Sequence, residues 1–249
     1  MTVVFLTTAD PLYLPALFDR VLGARGADTA AVYVVPPLYK GQTQLQALRR
    51  YLRTFGPAAT LALARRVAWA KIRGRSIEQA GSRHGVRVAA TPDVNSEEFL
   101  RELRALAPDV IVSVSCPQIF SKPLIDLPRA GILNVHGALL PQYRGVMPSF
   151  WMLANGEKTA GVSVYFVNEQ IDAGELLIQR PFDVAPGETL DGFLRRSKAL
   201  AAELVLEALD RVERGTAEGT LMDLSRGTYH SWPTAEAVQR FRASGHRLW

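Results

Sequence analysis

An amide and an imidazole lie two residues apart at the end of an apolar run, at Asn134 and His136. Side chains at positions i and i+2 of a β-strand point to the same side, so we expect both residues to face one cavity. A rigid turn with the sequence Leu-Leu-Pro follows at 139–141. This stretch therefore offers a hydrogen-bond donor and a titratable base to a single site.

A carboxylate is expected at the same place. After a predicted strand that ends near Val167, Asp172 lies on a loop two residues before Gly174. Such a loop can fold back over the carboxyl ends of parallel strands, where open sheets bind ligands. The three polar side chains suit attack of an amine on a carbonyl. Asn134 and a protonated His136 donate to the oxygen that becomes negative, while Asp172 holds the imidazole and helps to remove the proton from the attacking nitrogen.

Other chemistries find little support in the sequence. Ser115 and Cys116 follow a predicted strand, but neither has the Gly-x-Ser-x-Gly setting of an activated nucleophile. The remaining histidines, His84, His230 and His246, lack the spacing of a metal site, so we expect no metal. The single cysteine excludes an intramolecular disulfide.

The composition is that of an ordinary globular chain. Its 249 residues are 48% hydrophobic and 21% charged, which suits one domain or one domain with a small appendage. No apolar run approaches the roughly 20 residues of a membrane-spanning helix. The start of the chain lacks the basic region of a secretory signal, so we expect a cytoplasmic protein. The net charge of +5 admits an anionic partner, and much of the excess lies within 49–75, although a solvated helical face is the commoner explanation.

Strand and helix patterns alternate along the chain. Strands are predicted at 2–7, 30–35, 86–90, 110–114, 132–135, 161–167 and 176–184, and helices at 11–22, 76–85, 95–106, 148–154, from 189 to before Gly215, and at 234–243. This order predicts an α/β fold with a doubly wound, mostly parallel sheet covered on both faces. Residues 39–75 are predicted to form an inserted helical hairpin broken near Gly56, which either packs against the body or walls an acceptor pocket.

The chain resembles the formyltransferase family that uses 10-formyltetrahydrofolate, which includes glycinamide ribonucleotide, methionyl-tRNA and sugar N-formyltransferases. The resemblance is carried by motifs in a fixed order, namely Asn134, His136, Leu139-Leu140-Pro141, Tyr143-Arg144-Gly145 and Asp172-x-Gly174. It extends from residue 76 to about 214 and more loosely back to residue 2. It implies a Rossmann-like catalytic domain at 1–214, with the helical insertion at about 39–75, followed by a C-terminal extension at 215–249.

The resemblance implies a catalytic trio of Asn134, His136 and Asp172. The trio moves a formyl group from N10 of 10-formyltetrahydrofolate to an acceptor amine through a tetrahedral intermediate. In similar enzymes the pterin ring is bonded largely by backbone beside the strand end that precedes the motif. The implied folate-binding residues are Ser115, Cys116, Pro117, Gln118, Ile119, Phe120, Leu139, Leu140, Pro141, Val167, Asn168, Glu169, Gln170 and Ile171.

Candidate acceptor-binding residues are Asp10, Tyr143 and Arg144, of which the last two either meet the acceptor or anchor their loop. The loop at 7–11 lacks the glycines with which glycinamide ribonucleotide enzymes cradle a phosphate. The residues after position 214 are too few for the C-terminal barrel of methionyl-tRNA enzymes. Both acceptors are therefore disfavoured, and the sugar N-formyltransferases remain closest in architecture.

The expected partners are folate and the primary amine of a small metabolite, such as an amino sugar or a natural-product intermediate. Neither a membrane nor a nucleic acid is expected, and a homodimer is left open. The alternative functions are a 10-formyltetrahydrofolate hydrolase, a methionyl-tRNA formyltransferase-like enzyme and a non-catalytic folate- or RNA-binding module. Aromatic residues in the tail at 228–234 either stack on a ligand or pin the tail to the core.

Overall fold

Strands and helices alternate through most of the computed structural model, which describes residues 1–37 and 42–249. The strands are β1 (Val3–Thr8), β2 (Thr29–Val35), β3 (Val88–Ala90), β4 (Val110–Val114), β5 (Ile132–His136), β6 (Arg144–Gly145), β7 (Thr159–Phe166), β8 (Glu175–Asp183), β9 (Thr220–Leu221) and β10 (Tyr229–His230). The α-helices are α1 (Leu14–Arg25), α2 (Gln44–Phe55), α3 (Pro57–Ile72), α4 (Ile77–Arg83), α5 (Glu97–Leu106), α6 (Lys122–Ile125), α7 (Pro148–Ala154), α8 (Leu190–Glu213) and α9 (Ala235–Ala243). Among these described helices, none combines the length and the apolar character needed to cross a bilayer.

The central sheet has the strand order β3-β2-β1-β4-β5-β7-β8-β9. The strands from β3 to β5 are parallel, whereas β7, β8 and β9 are antiparallel to their neighbours. The mostly parallel, doubly wound sheet predicted from the sequence is thus confirmed. The chain runs outward from β1 to β3 and returns to β4 on the other side of β1. This reversal opens a crevice at the carboxyl ends of β1 and β4.

Alternating side chains of the strands fill two cores, one on each face of the sheet. Helices α1, α4 and α8 cover one face, while α5 and α6 cover the other. In β5, Leu133 and Val135 join the first core and Ile132 joins the second. Because side chains alternate, Asn134 and His136 lie on the face of Ile132. The two side chains therefore share one face of the sheet, as their spacing predicted.

Two helices, α2 and α3, make up most of the predicted insertion and meet at Gly56, which has a φ of +88°. Residues 39–41 of that insertion lie outside the described residues. Phe55 is buried and packs edge-on against Phe150 of α7. The indole N–H of Trp232 donates to the Thr54 hydroxyl at 2.8 Å. The hairpin is thereby joined to α7 and to the C-terminal tail.

The C-terminal segment, 215–249, packs onto the body through each of its elements. Strand β9 pairs with β8, and β10 pairs with β6. Helix α9 buries Ala237, Val238 and Phe241 in a third apolar cluster with α7. The segment thus contributes to the core and to the environment of the loop that follows β5.

Gly174 lies where the loop between β7 and β8 passes close to the backbone of Phe166. A Cβ atom at position 174 would lie 1.7 Å from the Phe166 carbonyl oxygen. Gly174→Ala must therefore displace the loop, and we expect it to lower the free energy of unfolding by about 1–3 kcal/mol, measured by urea denaturation. Gly192→Ala is the control, because its nearest contact would be the Thr189 hydroxyl at 3.3 Å. Unchanged stability of Gly174→Ala would contradict this close approach.

Candidate active site

Three polar side chains converge at the carboxyl end of β5. Asn134 and His136 come from the strand, and Asp172 comes from the loop between β7 and β8. His136 and Asp172 are only 6% and 9% exposed. His136 Nδ1 lies 3.7 Å from Asp172 Oδ2. The structure therefore brings together the three residues that the sequence analysis selected.

A tyrosine that the sequence analysis missed joins two members of this trio. The Tyr165 hydroxyl donates to Asp172 Oδ1 at 2.8 Å and accepts from Asn134 Nδ2 at 2.9 Å. Tyr165 stands opposite Asn134 in the antiparallel pairing of β5 with β7. Burial, followed by the charge of Asp172, raises the pKa of Tyr165 well above its usual value, so the hydroxyl stays a donor at neutral pH. Only the register of the pairing between β5 and β7 shows that Tyr165 reaches the trio.

The His136 ring is oriented by a backbone carbonyl. Its Nε2 lies 2.8 Å from the Tyr143 carbonyl oxygen. A carbonyl only accepts hydrogen bonds, so Nε2 carries the hydrogen and Nδ1 faces Asp172. The sequence analysis expected Asp172 to hold the imidazole, but 3.7 Å exceeds a hydrogen-bond distance. The carboxylate is held instead by the Tyr165 hydroxyl and by the Gly145 N–H, which donates to Oδ2 at 2.7 Å.

Tyr143 anchors its loop. Its side chain is buried, donates its hydroxyl hydrogen to Glu157, and stacks on the His230 ring with centroids 5.1 Å apart. Its backbone N–H donates to the Thr228 hydroxyl at 2.8 Å. Of the two roles open to Tyr143, the contacts favour loop anchoring over contact with an acceptor. The ring of His230 likewise pins the tail to the loop.

The neighbouring Arg144 is also fixed through its backbone, because its N–H donates to the Thr228 carbonyl at 2.9 Å. Its side chain is half-buried, and its Nε atom has no hydrogen-bond partner in the described structure. One residue further on, Gly145 adopts a φ of +95° that favours glycine. A Cβ atom there would lie 2.3 Å from the His230 carbonyl oxygen. Position 145 thus requires glycine, because the C-terminal segment passes close to its backbone.

Residues 115–120, one of the two loops that the resemblance assigns to folate, lie directly after β4. Ser115 is exposed with a φ of +58°, and Ile119 is 65% exposed, while Phe120 is buried in the core. The Gln118 side chain bonds back to the loop at 92–94. Burial raises the pKa of the Cys116 thiol to about 11, so the thiol stays protonated at neutral pH.

Asn95 shapes this loop as well. It donates to the Ile119 carbonyl at 2.9 Å and accepts from the Ser121 N–H at 2.7 Å. The sequence analysis started a helix at Asn95, but α5 begins at Glu97 and Ser96 caps it. Asn95 thus lies two residues before the helix, and its side chain bonds to residues 119–121 instead of capping α5.

Residues 167–171 form the second expected loop, and four of them, 168–171, are exposed. Val167 is half-buried, and its N–H donates to the Ile132 carbonyl at 2.8 Å. Lys122 Nζ lies 3.9 Å from Glu169 Oε1, which places this loop beside the end of the 115–120 loop. Ile171 is 45% exposed. The two loops therefore lie beside each other next to β5, and each presents an isoleucine to solvent.

The Leu-Leu-Pro turn lies across β7. Leu140 is buried; its N–H donates to the Ser163 hydroxyl at 3.1 Å, and its carbonyl accepts from Gln179 at 2.9 Å. Its bond to Pro141 is cis. Leu139 packs against Gly161, where a Cβ atom would lie 2.3 Å from a Leu139 methyl carbon. These contacts fix the turn against β7 and β8.

A second polar cluster lies in the crevice between β1 and β4. Asp10 accepts from the N–H of Leu12 at 2.8 Å, and burial raises its pKa. Lys198 of α8 donates to the Ser115 hydroxyl at 2.7 Å. Burial lowers the pKa of Lys198, against the opposing effect of the Asp10 charge. Lys198 was not singled out from the sequence, because only the packing of α8 brings it to the crevice.

Among the described residues, no three His, Cys, Asp or Glu side chains are placed to hold a metal ion.

We expect Tyr165→Phe to lower the free energy of unfolding by about 1–3 kcal/mol, because the buried Asp172 carboxylate loses a hydroxyl donor. Urea denaturation measures the change. Tyr33→Phe is the matched control: it removes a buried hydroxyl that donates to Glu102 at 2.7 Å, but Glu102 keeps an ion pair with Arg87 at 2.8 Å. Equal losses in the two variants would show that the Tyr165 hydroxyl has no special role.

The fold is shared with solved formyl-transferring enzymes. The glycinamide ribonucleotide transformylase 1 of Symbiobacterium toebii superposes with a TM-score of 0.62 at 19% identity, over 90% of this chain and 94% of the other. A sugar N-formyltransferase from a Shewanella species gives a TM-score of 0.62 at 16% identity, over 98% of this chain and 88% of the other. At these identities the similarity shows the fold alone.

Sequence comparison relates the chain to curated enzymes. The methionyl-tRNA formyltransferase of Trichlorobacter lovleyi is 35% identical over 159 residues, which are 64% of this chain and 50% of the relative. The chain spans about half the length of the first curated relatives that it matches. The family model described as formyl transferase matches residues 1–209. Because this match covers most of the chain, the protein belongs to the formyl transferase family.

Proposed function

We propose that this chain transfers a formyl group from 10-formyltetrahydrofolate to the primary amine of a small metabolite. The observation that carries the proposal is the convergence of Asn134, His136 and Asp172 at the carboxyl end of β5. These side chains supply hydrogen-bond donors and a proton acceptor. Membership of the formyl transferase family supports the choice of the transferred group.

The two loops beside the trio fit a folate. Ile119 and Ile171 present apolar surface on these loops, and a flat heteroaromatic ring packs against surface of this kind. 10-formyltetrahydrofolate supplies the formyl carbon that an amine attacks, so negative charge develops on the formyl oxygen. The residues of the site must therefore stabilise an oxygen anion and accept a proton from nitrogen.

The hydrogen bonds of the trio leave the required groups available. The Asn134 amide has two N–H groups, and one of them donates to Tyr165, so the other can donate to the formyl oxygen. His136 uses Nε2 for the Tyr143 carbonyl, which leaves Nδ1, the ring atom on the side of Asp172, free for proton transfer. Asp172 retains lone pairs on both oxygens and accepts the amine proton. Return of that proton to N10 as the bond between the formyl carbon and N10 breaks releases tetrahydrofolate. Together these groups match the charge that develops in the transition state.

Tyr165 acts as a positioning residue in this scheme. It sets the separation of Asn134 and Asp172 by bonding to both. Groups held in their reactive arrangement before the substrates bind need no reorganisation during the reaction. No covalent intermediate with the protein is required, because the acceptor amine is itself the nucleophile.

The transferase proposal predicts amine-dependent consumption of 10-formyltetrahydrofolate. The chain is incubated with the folate and a panel of amino sugars and amino acids, and tetrahydrofolate, the formamide product and formate are each quantified. We expect one formamide per tetrahydrofolate with an accepted amine, and only slow formate release without an amine. Rapid, stoichiometric formate release in the absence of an amine would identify a hydrolase instead.

Asp172→Asn is expected to lower turnover by about 10²–10⁴-fold, because an amide cannot accept the amine proton. Folate binding, measured by tryptophan fluorescence, should change little, since the Asn side chain keeps an oxygen that accepts a hydrogen bond and the loop retains its Val167 N–H bond to the Ile132 carbonyl. Asp183→Asn is the matched control, because it makes the same chemical change at an exposed position on β8. Turnover of Asp172→Asn near that of the unsubstituted chain would remove Asp172 from the trio.

A second candidate function is formylation of the amino group of an aminoacyl-tRNA. The observation that favours it is the 35% identity to a methionyl-tRNA formyltransferase. The basic residues of the insertion suit an RNA backbone. Formylation of methionyl-tRNA is therefore compared with that of the small amines in the same assay. A kcat/KM for the tRNA above that for every small amine would favour this second function.

A further inference from the structure

A cavity of about 170 Å³ opens beside the loop that follows β1, and four arginines line it. Arg66 lies on α3, Arg73 and Arg75 lie just after that helix, and Arg195 lies on α8. No acidic side chain is among the lining residues. The guanidinium groups around the cavity thus come from α3 and the residues just after it, and from α8, which is distant in sequence.

Only part of this positive charge is balanced by the protein. Asp191 pairs with Arg66 and with Arg195, the latter at 3.0 Å. Arg73 and Arg75 have no ion pair with any residue that the structure describes. The Arg73 guanidinium lies over the Trp69 ring, 4.5 Å from its centroid, which holds it beside the cavity. Repulsion between converging cations favours occupation of the cavity by an anion.

The cavity lies close to the candidate active site. Leu12 lines it, and the Leu12 N–H donates to Asp10 in the crevice. Strand β4 separates β1 from β5, so the ends of β1 and β5 are about 10 Å apart at the usual strand spacing. Helix α8 spans both places: Arg195 lines the cavity, and the Ser197 hydroxyl lies 3.5 Å from the Cβ position of Gly137, next to His136.

We propose that this arginine-lined cavity binds a phosphoryl or diphosphoryl group of the acceptor, so that the acceptor is a phosphorylated amine. The assignment rests on the proposed function for the amine and on the cavity for the phosphate. Guanidinium groups bind phosphate oxygens through paired hydrogen bonds. A cavity of this size encloses one small anionic group and not a nucleic-acid helix. The amine then reaches the trio from an anchor across the crevice between β1 and β4.

Anion binding by the full chain tests the assignment without requiring turnover. Orthophosphate and pyrophosphate are titrated separately by calorimetry at low ionic strength, and the tighter ligand reports whether one or two phosphoryl groups are preferred. We expect saturable binding that weakens at least tenfold when Arg73→Gln and Arg75→Gln are combined. The matched control combines Arg49→Gln with Arg65→Gln, which removes two exposed charges from the same hairpin outside the cavity. Its affinity should stay within twofold of the unsubstituted chain.

Three outcomes overturn the assignment, and a fourth separates it from the proposed function. Absence of saturable binding of either anion, or equal losses in the two double variants, would show that the arginines act only through general charge. Binding of tRNA that depends equally on both arginine pairs, and that pyrophosphate does not displace, would assign the surface to RNA. A chain that binds pyrophosphate through Arg73 and Arg75 but transfers no formyl group would contradict the proposed function and leave the anion cavity standing.

Discussion

The arrangement of the site depends on the buried carboxylate of Asp172. Removal of an ionised carboxylate from water is costly unless hydrogen-bond donors replace its hydration. Two donors reach it here, the Tyr165 hydroxyl from β7 and the Gly145 N–H from β6. Since Tyr165 also bonds Asn134, the carboxylate couples the position of the 167–174 loop to the end of β5. Asn134, Tyr165 and Asp172 form a single hydrogen-bonded chain.

The Gly145 N–H donates to Asp172 only if the loop around it keeps an unusual backbone conformation. Tyr143 and Met147, on either side of it, have φ values of +57° and +54°, a region that non-glycine residues rarely adopt. Such conformations persist where the surrounding structure holds them. The C-terminal tail supplies this restraint, because Thr228 and His230 accept hydrogen bonds from the backbone of the loop. Residues beyond the family match at 1–209 therefore stabilise a part of the candidate active site.

The two ends of the crevice are built from different parts of the chain. The trio and the flanking loops come from the sheet, and their positions follow from strand pairing. The arginine-lined cavity comes from α3 and α8, and α3 belongs to the insertion. Segments that connect the elements of a scaffold vary more freely than the scaffold itself. In the proposed function, this division separates the residues that handle the reacting nitrogen from those that contact distant parts of the amine.

Apolar periodicity predicted most of the strands and helices, because it follows directly from the burial of one face or two. The two-residue strands β6, β9 and β10 and the short helix α6 are too brief to show such a pattern. The shared face of Asn134 and His136 could also be predicted, since alternation is a local property of a strand. Three features of the site are visible only in the folded chain: Tyr165 stands between Asn134 and Asp172, a carbonyl rather than a carboxylate orients His136, and Tyr143 is an anchor. The folded chain also places Lys198 beside Ser115 and the four arginines around one cavity. These contacts join residues distant in sequence, and they depend on strand register and helix packing, which the whole core specifies together.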